Sequence, residues 1–368
     1  MRVAIRWVGG CVLAVASAAT LADIHDQVVP SGQEFVYSAN QVDGTLSAYR
    51  VDAATGALMQ VPGSPYRVGG FPVSVVTSPN GHFVYITNQG ADSVSVFSVD
   101  AKSGALRQID GSPFATGHFP DAIILSPDGR YAFITNEDDN KLLVFAVDPA
   151  TGALTGKTGV ADTDAHPIGV NMSHDGKFVY VSNFNGNTLS AYRFDGKTGA
   201  VTAVGRSMAT DEHPIYSFVT PNNRYVYVAN YGSTTVSAFA IDAATGMLKE
   251  VPGSPFVAGA KPYSLATDPK GEVLYVANWA GHDVSALAID PATGALKEIE
   301  GSPVKTDWYP YAVVVDPTRH YVYVANNGAN NISAYRITNT KGALSPIKGA
   351  PFVSGMGPYS LTISTWSN

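Results

Sequence analysis

The chain is poor in cysteine and in charged residues. Cys11 is the only cysteine among 368 residues, so no disulfide can form within the chain. Charged residues make up 14%, which is low for a soluble protein, and the formal net charge is −7. No run of lysines and arginines occurs, and electrostatic binding of nucleic-acid phosphates requires one. We therefore predict no nucleic-acid partner and no thiol chemistry.

Signatures of the common cofactors are absent as well. The sequence has no Cys-x-x-Cys-His for haem, no phosphate-binding P-loop and no Gly-x-Gly-x-x-Gly at a predicted helix start. No Gly-x-Ser-x-Gly nucleophile elbow occurs. Histidine and carboxylate are good metal ligands, but no His-x-His or His-x-x-x-His spacing brings two histidines together. We predict neither a cofactor nor a metal.

Long apolar runs are missing except for a short one near the N-terminus. Arg2 and Arg6 precede an apolar stretch at residues 7–21, and small residues at 16–18 or 20–22 offer a cleavage site. This arrangement is typical of a secretory signal peptide, and the stretch is short and small for a membrane span. We predict a signal peptide at residues 1–22 and a linker at residues 23–33. The mature protein is expected in the periplasm or outside the cell, without a membrane span.

A repeat occupies the rest of the chain. The sequence Tyr-Val-Ala-Asn or a close variant occurs seven times, and its closing asparagines are 47 or 48 residues apart. They are Asn40, Asn88, Asn136, Asn183, Asn230, Asn278 and Asn326. A period of this length with strand-like content indicates a propeller.

One copy of the repeat shows the composition of a blade. In residues 261–308 we predict strands at 262–268, 272–278, 283–290 and 295–303, separated by turns. The sequence thus predicts an all-β, seven-bladed β-propeller with four antiparallel strands per blade, at residues 34–368. The repeat begins in a second strand at residues 34–40 and ends after a first strand at 358–364. Pairing these two segments in one blade would close the ring and remove an open edge.

The two faces of such a propeller differ in sequence. Turns after the first and third strands are monotonous, whereas the crossovers between blades and the loops after the asparagines vary and carry polar and aromatic residues. These variable positions would surround the mouth of the central channel, a concave place suited to a ligand. Histidine and carboxylate there could act as acid or base near neutral pH, although a histidine could equally bond a backbone carbonyl. As catalytic residues we predict Glu137, His118, His166 and His213. As substrate-binding residues we predict Asp121, Glu212, Lys261, Tyr231, Trp279, Trp308, Tyr309 and Tyr311.

The repeat resembles two related groups of propellers. Tyr85-Ile-Thr-Asn88 followed by Ser93-Val-Ser-Val-Phe97 resembles the YVTN repeat of bacterial and archaeal envelope proteins. The longer unit, from Ser-Pro-Asp-Gly-Arg through Tyr-Val-Ala-Asn to Thr-Gly-Ala-Leu, is similar to the lactonase family of seven-bladed propellers, which includes 6-phosphogluconolactonases and carboxymuconate-lactonising enzymes. The resemblance implies lactone hydrolysis and carries an Asn-Glu element onto Asn136-Glu137. The family's Arg-His pair after a proline is replaced by Asp121-Ala122, and His118 could stand in for it.

Two functions follow from these patterns. In the first, a lactonase-like hydrolase, Glu137 with His118 or His166 would activate water, and His213 and Lys261 would polarise the lactone carbonyl. In the second, a non-catalytic envelope propeller would bind a protein or glycan through its aromatic residues. The sequence leaves the identity of the lactone and the oligomeric state open.

Overall fold

A computed structural model describes residues 33–365. The predicted signal peptide and almost all of the predicted linker lie outside these residues. The described part is all-β, apart from a single 3-10 turn at Gln89–Ala91. None of its helices is long and apolar enough to span a membrane.

Seven antiparallel sheets form the blades of a propeller, which confirms the predicted fold. The first strands of successive blades contact one another and close a ring around a central channel. Strand bounds, from the channel outwards, are as follows. Blade 1 contains Pro72–Thr77, Phe83–Asn88, Ser93–Val99, Leu106–Gln108 and Phe114–Ala115; blade 2 contains Pro120–Leu125, Tyr131–Asn136, Lys141–Val147 and Leu154–Asp162; blade 3 contains Pro167–Met172, Phe178–Asn183, Thr188–Phe194, Val201–Ala203 and Met208–Ala209; blade 4 contains Pro214–Val219, Tyr225–Asn230, Thr235–Ile241, Leu248–Glu250 and Phe256–Val257. Blade 5 contains Pro262–Thr267, Val273–Asn278, Asp283–Ile289, Leu296–Glu298 and Val304–Lys305; blade 6 contains Pro310–Val315, Tyr321–Asn326, Asn331–Ile337, Leu344–Pro346 and Phe352–Val353; blade 7 contains Pro358–Thr365, Glu34–Asn40, Thr45–Val51, Leu58–Gln60 and Tyr66–Arg67.

Blade 7 joins the two ends of the chain. Glu34–Asn40 pairs antiparallel with Thr45–Val51 on one side and with Pro358–Thr365 on the other. The amide of Gln41 also donates to the carbonyl of Gly357 at 2.8 Å. This pairing is the closure that the sequence predicts, and it leaves the innermost ring without an open edge.

The outer strand differs from the prediction in six of the seven blades. We predicted one strand at residues 295–303, but blade 5 has two short strands, Leu296–Glu298 and Val304–Lys305. In the intervening Gly301-Ser-Pro segment, the hydroxyl of Ser302 accepts a hydrogen bond from the Ala286 amide at 2.9 Å. Blades 3 and 6 lack this motif and also have two short outer strands, whereas the outer strand of blade 2 is continuous. The serine thus provides a partner for the strand amide where it occurs, but the interruption does not depend on it.

Repeated tyrosines join neighbouring blades, and repeated asparagines join strands within a blade. The hydroxyl of Tyr85 donates to the carbonyl of Gly152 in the next blade at 3.0 Å, and Tyr323 makes the same bond to Gly56 across the closure at 2.9 Å. The seven asparagines are fully buried. The Nδ2 of Asn88, for example, donates to the Ser95 hydroxyl on the third strand of its own blade, at 2.9 Å. These contacts fix the loop that follows each asparagine, which forms part of the channel mouth.

Candidate active site

In every crossover, the residue before the repeated proline has a left-handed backbone conformation. These seven residues surround the channel mouth. The φ angles of these seven residues lie between 51° and 67°: Phe71, Phe119, His166, His213, Lys261, Tyr309 and Gly357. The left-handed conformation is unfavourable for residues other than glycine. Hydrogen bonds from the surrounding loops must therefore stabilise the crossover backbone. The carbonyl of His166 accepts from the amide of Phe184 at 2.8 Å, and its amide donates to Oδ1 of Asn140 at 2.8 Å. The backbone of His166 is therefore held in this conformation from both neighbouring loops.

A polar contact at the mouth joins Glu137 and His166. Oε1 of Glu137, just after the second strand of blade 2, lies 2.8 Å from Nδ1 of His166 on the crossover into blade 3. The Glu137 side chain is 17% exposed and that of His166 is 41% exposed. A carboxylate that binds Nδ1 fixes the tautomer and leaves Nε2 for a water or a substrate. This is the arrangement of an oriented general base.

The other two predicted histidines have different partners. Nδ1 of His118 lies 3.1 Å from Oδ2 of Asp92 at the exposed rim, and its side chain is 74% exposed. The hydrogen bond to Asp92, together with the charge of Asp139, raises the pKa of His118. His213 instead stacks on Phe184, with ring centroids 4.6 Å apart. Neither histidine bonds Glu137.

Asp121 lies beneath the mouth rather than on its surface. It is 2% exposed, and its carboxyl accepts a hydrogen bond from Nε2 of Gln89 at 3.1 Å. The hydroxyl of Tyr216 reaches across from blade 4 to within 3.4 Å of Oδ1. Burial, followed by the negative charge of Glu137, raises the pKa of Asp121 to about 8. At neutral pH Asp121 is therefore mostly protonated, and no ion pair among residues 33–365 involves it.

A cluster of tyrosines closes the channel at the same level. The hydroxyls of Tyr263 and Tyr359 bond each other, and the Tyr311 ring lies 4.3 Å from Tyr263 and 4.7 Å from Tyr359. Burial raises the pKa of Tyr216, Tyr263 and Tyr359 well above the usual value, so all three remain hydrogen-bond donors. Beyond them the channel holds a cavity of about 350 Å³ lined by the first strands. The tyrosines thus form a floor under the mouth.

Tyr216 was not among the residues predicted from sequence, although the repeat contains a signal for it. At the second position after the repeated proline the other copies have small residues: Ser74, Ala122, Gly169, Ser264, Ala312 and Ser360. Gly169 in the neighbouring blade provides the space, because a Cβ there would lie 2.3 Å from the Ile215 carbonyl and 3.2 Å from the Tyr216 ring. Comparison of the copies at this position could have found Tyr216.

Aromatic residues occupy the side of the mouth formed by blades 3 to 6. We call Phe184, His213, Tyr231, Trp279, Trp308 and Tyr309 the aromatic wall. Tyr231 contacts Trp279 at a centroid distance of 5.8 Å, and Trp279 stacks on Tyr309 at 4.6 Å. Nζ of Lys261 lies 4.7 Å from the Tyr231 ring centroid and 5.5 Å from that of Trp279. Trp308 is 67% exposed and Tyr309 is 38% exposed.

The remaining predicted residues are placed as follows. Tyr311 belongs to the floor and not to the wall. Glu212 is exposed on the crossover between blades 3 and 4, where its backbone carbonyl accepts from the amide of Gly232 at 2.9 Å. Among residues 33–365, no three histidine, cysteine or acidic side chains are grouped so as to hold a metal ion.

Known structures share the fold of this chain. A candidate 6-phosphogluconolactonase of Bacteroides uniformis is 19% identical, with a TM-score of 0.80 over 90% of this chain and 100% of that one. A candidate 6-phosphogluconolactonase of Bacteroides fragilis is 20% identical, with a TM-score of 0.79 over 92% of this chain and 100% of that one. The periplasmic gluconolactonase of Pseudomonas aeruginosa is 20% identical, with a TM-score of 0.78 over 91% of this chain and 100% of that one.

The sequence itself identifies the family. No curated protein matches the chain. The family described as lactonase, 7-bladed beta-propeller, matches at residues 33–165, 156–260 and 255–357, which together span nearly the whole described region. The chain therefore belongs to the lactonase family of seven-bladed β-propellers.

Proposed function

We propose that the protein hydrolyses a small lactone at the channel mouth, with Glu137 and His166 as the catalytic pair. The observation that carries this proposal is the 2.8 Å contact between Glu137 Oε1 and His166 Nδ1. It supplies an oriented imidazole at a partly exposed position, which water activation requires. Membership of the lactonase family supports the reaction class.

The reaction needs two proton transfers. Nε2 of neutral His166 takes a proton from water as the water oxygen attacks the lactone carbonyl, and Glu137 stabilises the imidazolium that forms. The tetrahedral oxyanion then collapses, the ring C–O bond breaks, and the imidazolium returns the proton to the leaving alkoxide. The product is the open hydroxy acid. Because buried Asp121 is protonated, it places no second negative charge beside the Glu137 carboxylate.

The ammonium group of Lys261 provides a positive charge to stabilise the oxyanion. Its ammonium lies against the rings of Tyr231 and Trp279, where cation–π contacts hold it. The eight ion pairs between residues 33 and 365 all involve other basic side chains, so Lys261 keeps its charge available for a ligand. His213, stacked on Phe184, is the second predicted donor.

The charges at the mouth support an uncharged substrate. Lys261 is the only lysine among the crossover residues, which include no arginine, and Glu137, Asp138, Asp139 and Glu212 are nearby in the same crossovers and loops. Recognition of a phosphate usually requires clustered basic groups. We therefore expect a neutral, hydroxylated lactone rather than a phosphorylated one. Together with the predicted signal peptide, this supports action in the periplasm or outside the cell.

The test is hydrolysis of a panel of lactones followed by pH-stat, with the wild type beside Glu137→Gln. Glutamine keeps the size of the side chain but cannot stabilise an imidazolium. We expect turnover of glucono-1,5-lactone by the wild type and a loss of about a hundredfold or more in the variant, the usual range for acid–base groups. His118→Asn is the matched control at the rim, and it should lose far less. Turnover that Glu137→Gln leaves unchanged would remove this pair from the mechanism.

The second function, a non-catalytic envelope propeller, rests on the aromatic wall. Exposed tryptophan and tyrosine are typical of surfaces that bind proteins or glycans, and Trp308 is 67% exposed. If no lactone is hydrolysed by the wild type, this function takes the place of the first.

A further inference from the structure

The mouth has two chemically different halves. At the position directly after the repeated asparagine, three successive blades carry aromatic residues, Phe184, Tyr231 and Trp279, and the other four carry polar ones. The polar residues are Gln41, Gln89, Glu137 and Asn327. The proposed catalytic pair lies on the polar side of this division, and His166 adjoins the first aromatic blade. A substrate that covers both halves would react at one end and contact rings at the other.

The aromatic wall is continuous. His213 stacks on Phe184 at 4.6 Å, and Phe184 lies 6.3 Å from Tyr231. Tyr231 contacts Trp279, which stacks on Tyr309, so ring contacts run through the crossovers and loops of blades 3 to 6. Tyr309 is the last ring of this series, and the exposed Trp308 precedes it on the same crossover. The wall is therefore longer than a single monosaccharide lactone needs.

The chemistry of the wall selects among ligands. The negative face of an aromatic ring attracts the weakly positive C–H groups on the flat face of a sugar. Indole and phenol groups also offer hydrogen bonds to the hydroxyls of a sugar. The scarcity of cations around it argues against polyanionic chains. Neutral sugars satisfy all three conditions.

We propose that the aromatic wall is a carbohydrate subsite and that the substrate is the aldonolactone at the end of a neutral oligosaccharide. The lactone ring lies at Glu137 and His166, and the adjoining sugar lies against the wall towards Trp308. This inference rests on the proposed lactonase function and adds the class of its substrate.

The experiment compares glucono-1,5-lactone with cellobiono-1,5-lactone, the matching lactone of a disaccharide. We expect kcat/KM to be at least tenfold higher for the disaccharide lactone, mainly through a lower KM. Trp308→Ala should reduce this preference to near one, because it removes the ring that the second sugar would contact. The variant should fold normally, since the Trp308 side chain is exposed and its loss leaves the core intact. Phe71→Ala is the matched control, since Phe71 is 60% exposed on a crossover outside the wall. It should keep the preference.

Other outcomes are decisive as well. Equal kcat/KM for the two lactones, or a preference that Trp308→Ala leaves intact, overturns the subsite. So does a stronger preference for dihydrocoumarin, a lactone fused to an aromatic ring, because it would show an aryl site. If neither sugar lactone is hydrolysed, the lactonase proposal fails separately, and calorimetry with cellotetraose tests the wall alone. Binding that Trp308→Ala abolishes supports a glycan site, and no binding overturns it.

Discussion

The hydroxyl of Tyr216 lies 3.4 Å from Oδ1 of Asp121, across the channel from blade 4 to blade 2. This contact joins two blades that are not neighbours. It places a hydrogen-bonding tyrosine beside a carboxyl group that is 2% exposed and forms no ion pair within the described part of the chain. The pair thus forms the polar centre of an otherwise aromatic floor.

The first prediction concerns this buried acid and pH. The folded pKa of Asp121, about 8, lies above its unfolded value near 3.8, so the folded state holds a proton that the unfolded state releases. The stability contributed by the neutral acid is complete below the unfolded pKa and is lost as pH rises to about 8. Asp121→Asn, which mimics the neutral acid, should gain stability over the wild type across this interval. The difference in unfolding free energy between the variant and the wild type should grow by at most about 1.4 kcal/mol for each pH unit.

The measurement is denaturant unfolding of both proteins at pH 5 and pH 8. Other groups that titrate in this interval, such as buried Glu34, remain in both proteins, so their contributions largely cancel in the difference. A difference in unfolding free energy that does not change between the two pH values would show that Asp121 is ionised in the folded protein.

The second prediction concerns the space for Tyr216. A Cβ at Gly169 would lie 2.3 Å from the backbone carbonyl oxygen of Ile215, which cannot move freely. Gly169→Ala should therefore destabilise the protein by about 1–3 kcal/mol, the usual cost of overpacking. Gly156→Ala is the matched control, because no atom lies within 4 Å of a Cβ there. Urea unfolding compares the two. Equal stability of both variants would contradict the packing described for the floor.

The third prediction concerns ring closure. Deleting residues 356–368 removes Pro358–Thr365, which pairs with Glu34–Asn40 and completes blade 7. The deletion would expose the backbone groups of a buried strand and leave an open edge. We expect an insoluble protein or one that protease digests rapidly. A soluble truncated protein with an unchanged melting temperature would show that closure is dispensable.

The sequence was sufficient to predict the fold because the repeat is regular. One period of 47 or 48 residues sets the number of blades, and the strand content of one copy applies to all. The interrupted outer strand was not predicted, since the role of Ser302 depends on which amide its hydroxyl reaches. The ends of the inner strands differ from the prediction by a single residue, as for Pro262–Thr267.

The site was less accessible to sequence reasoning than the fold. Repeat alignment identifies the crossovers and loops, but the pairing of side chains depends on distances between blades. Glu137 bonds His166 of the following blade, while His118, the alternative predicted partner of Glu137, bonds Asp92. The left-handed crossover residue places each side chain, and its conformation is not evident from a histidine, lysine or tyrosine in the sequence. The roles assigned to these residues remain predictions.

The fourth prediction addresses the central claim, that Glu137 and His166 act as one catalytic unit. The most direct measurement is kcat/KM for lactone hydrolysis by the wild type, Glu137→Gln, His166→Gln and the double variant. Residues that act together in one step are strongly non-additive. The double variant should therefore lose about as much activity as His166→Gln alone. Losses that multiply, or a single variant with wild-type activity, would contradict the account.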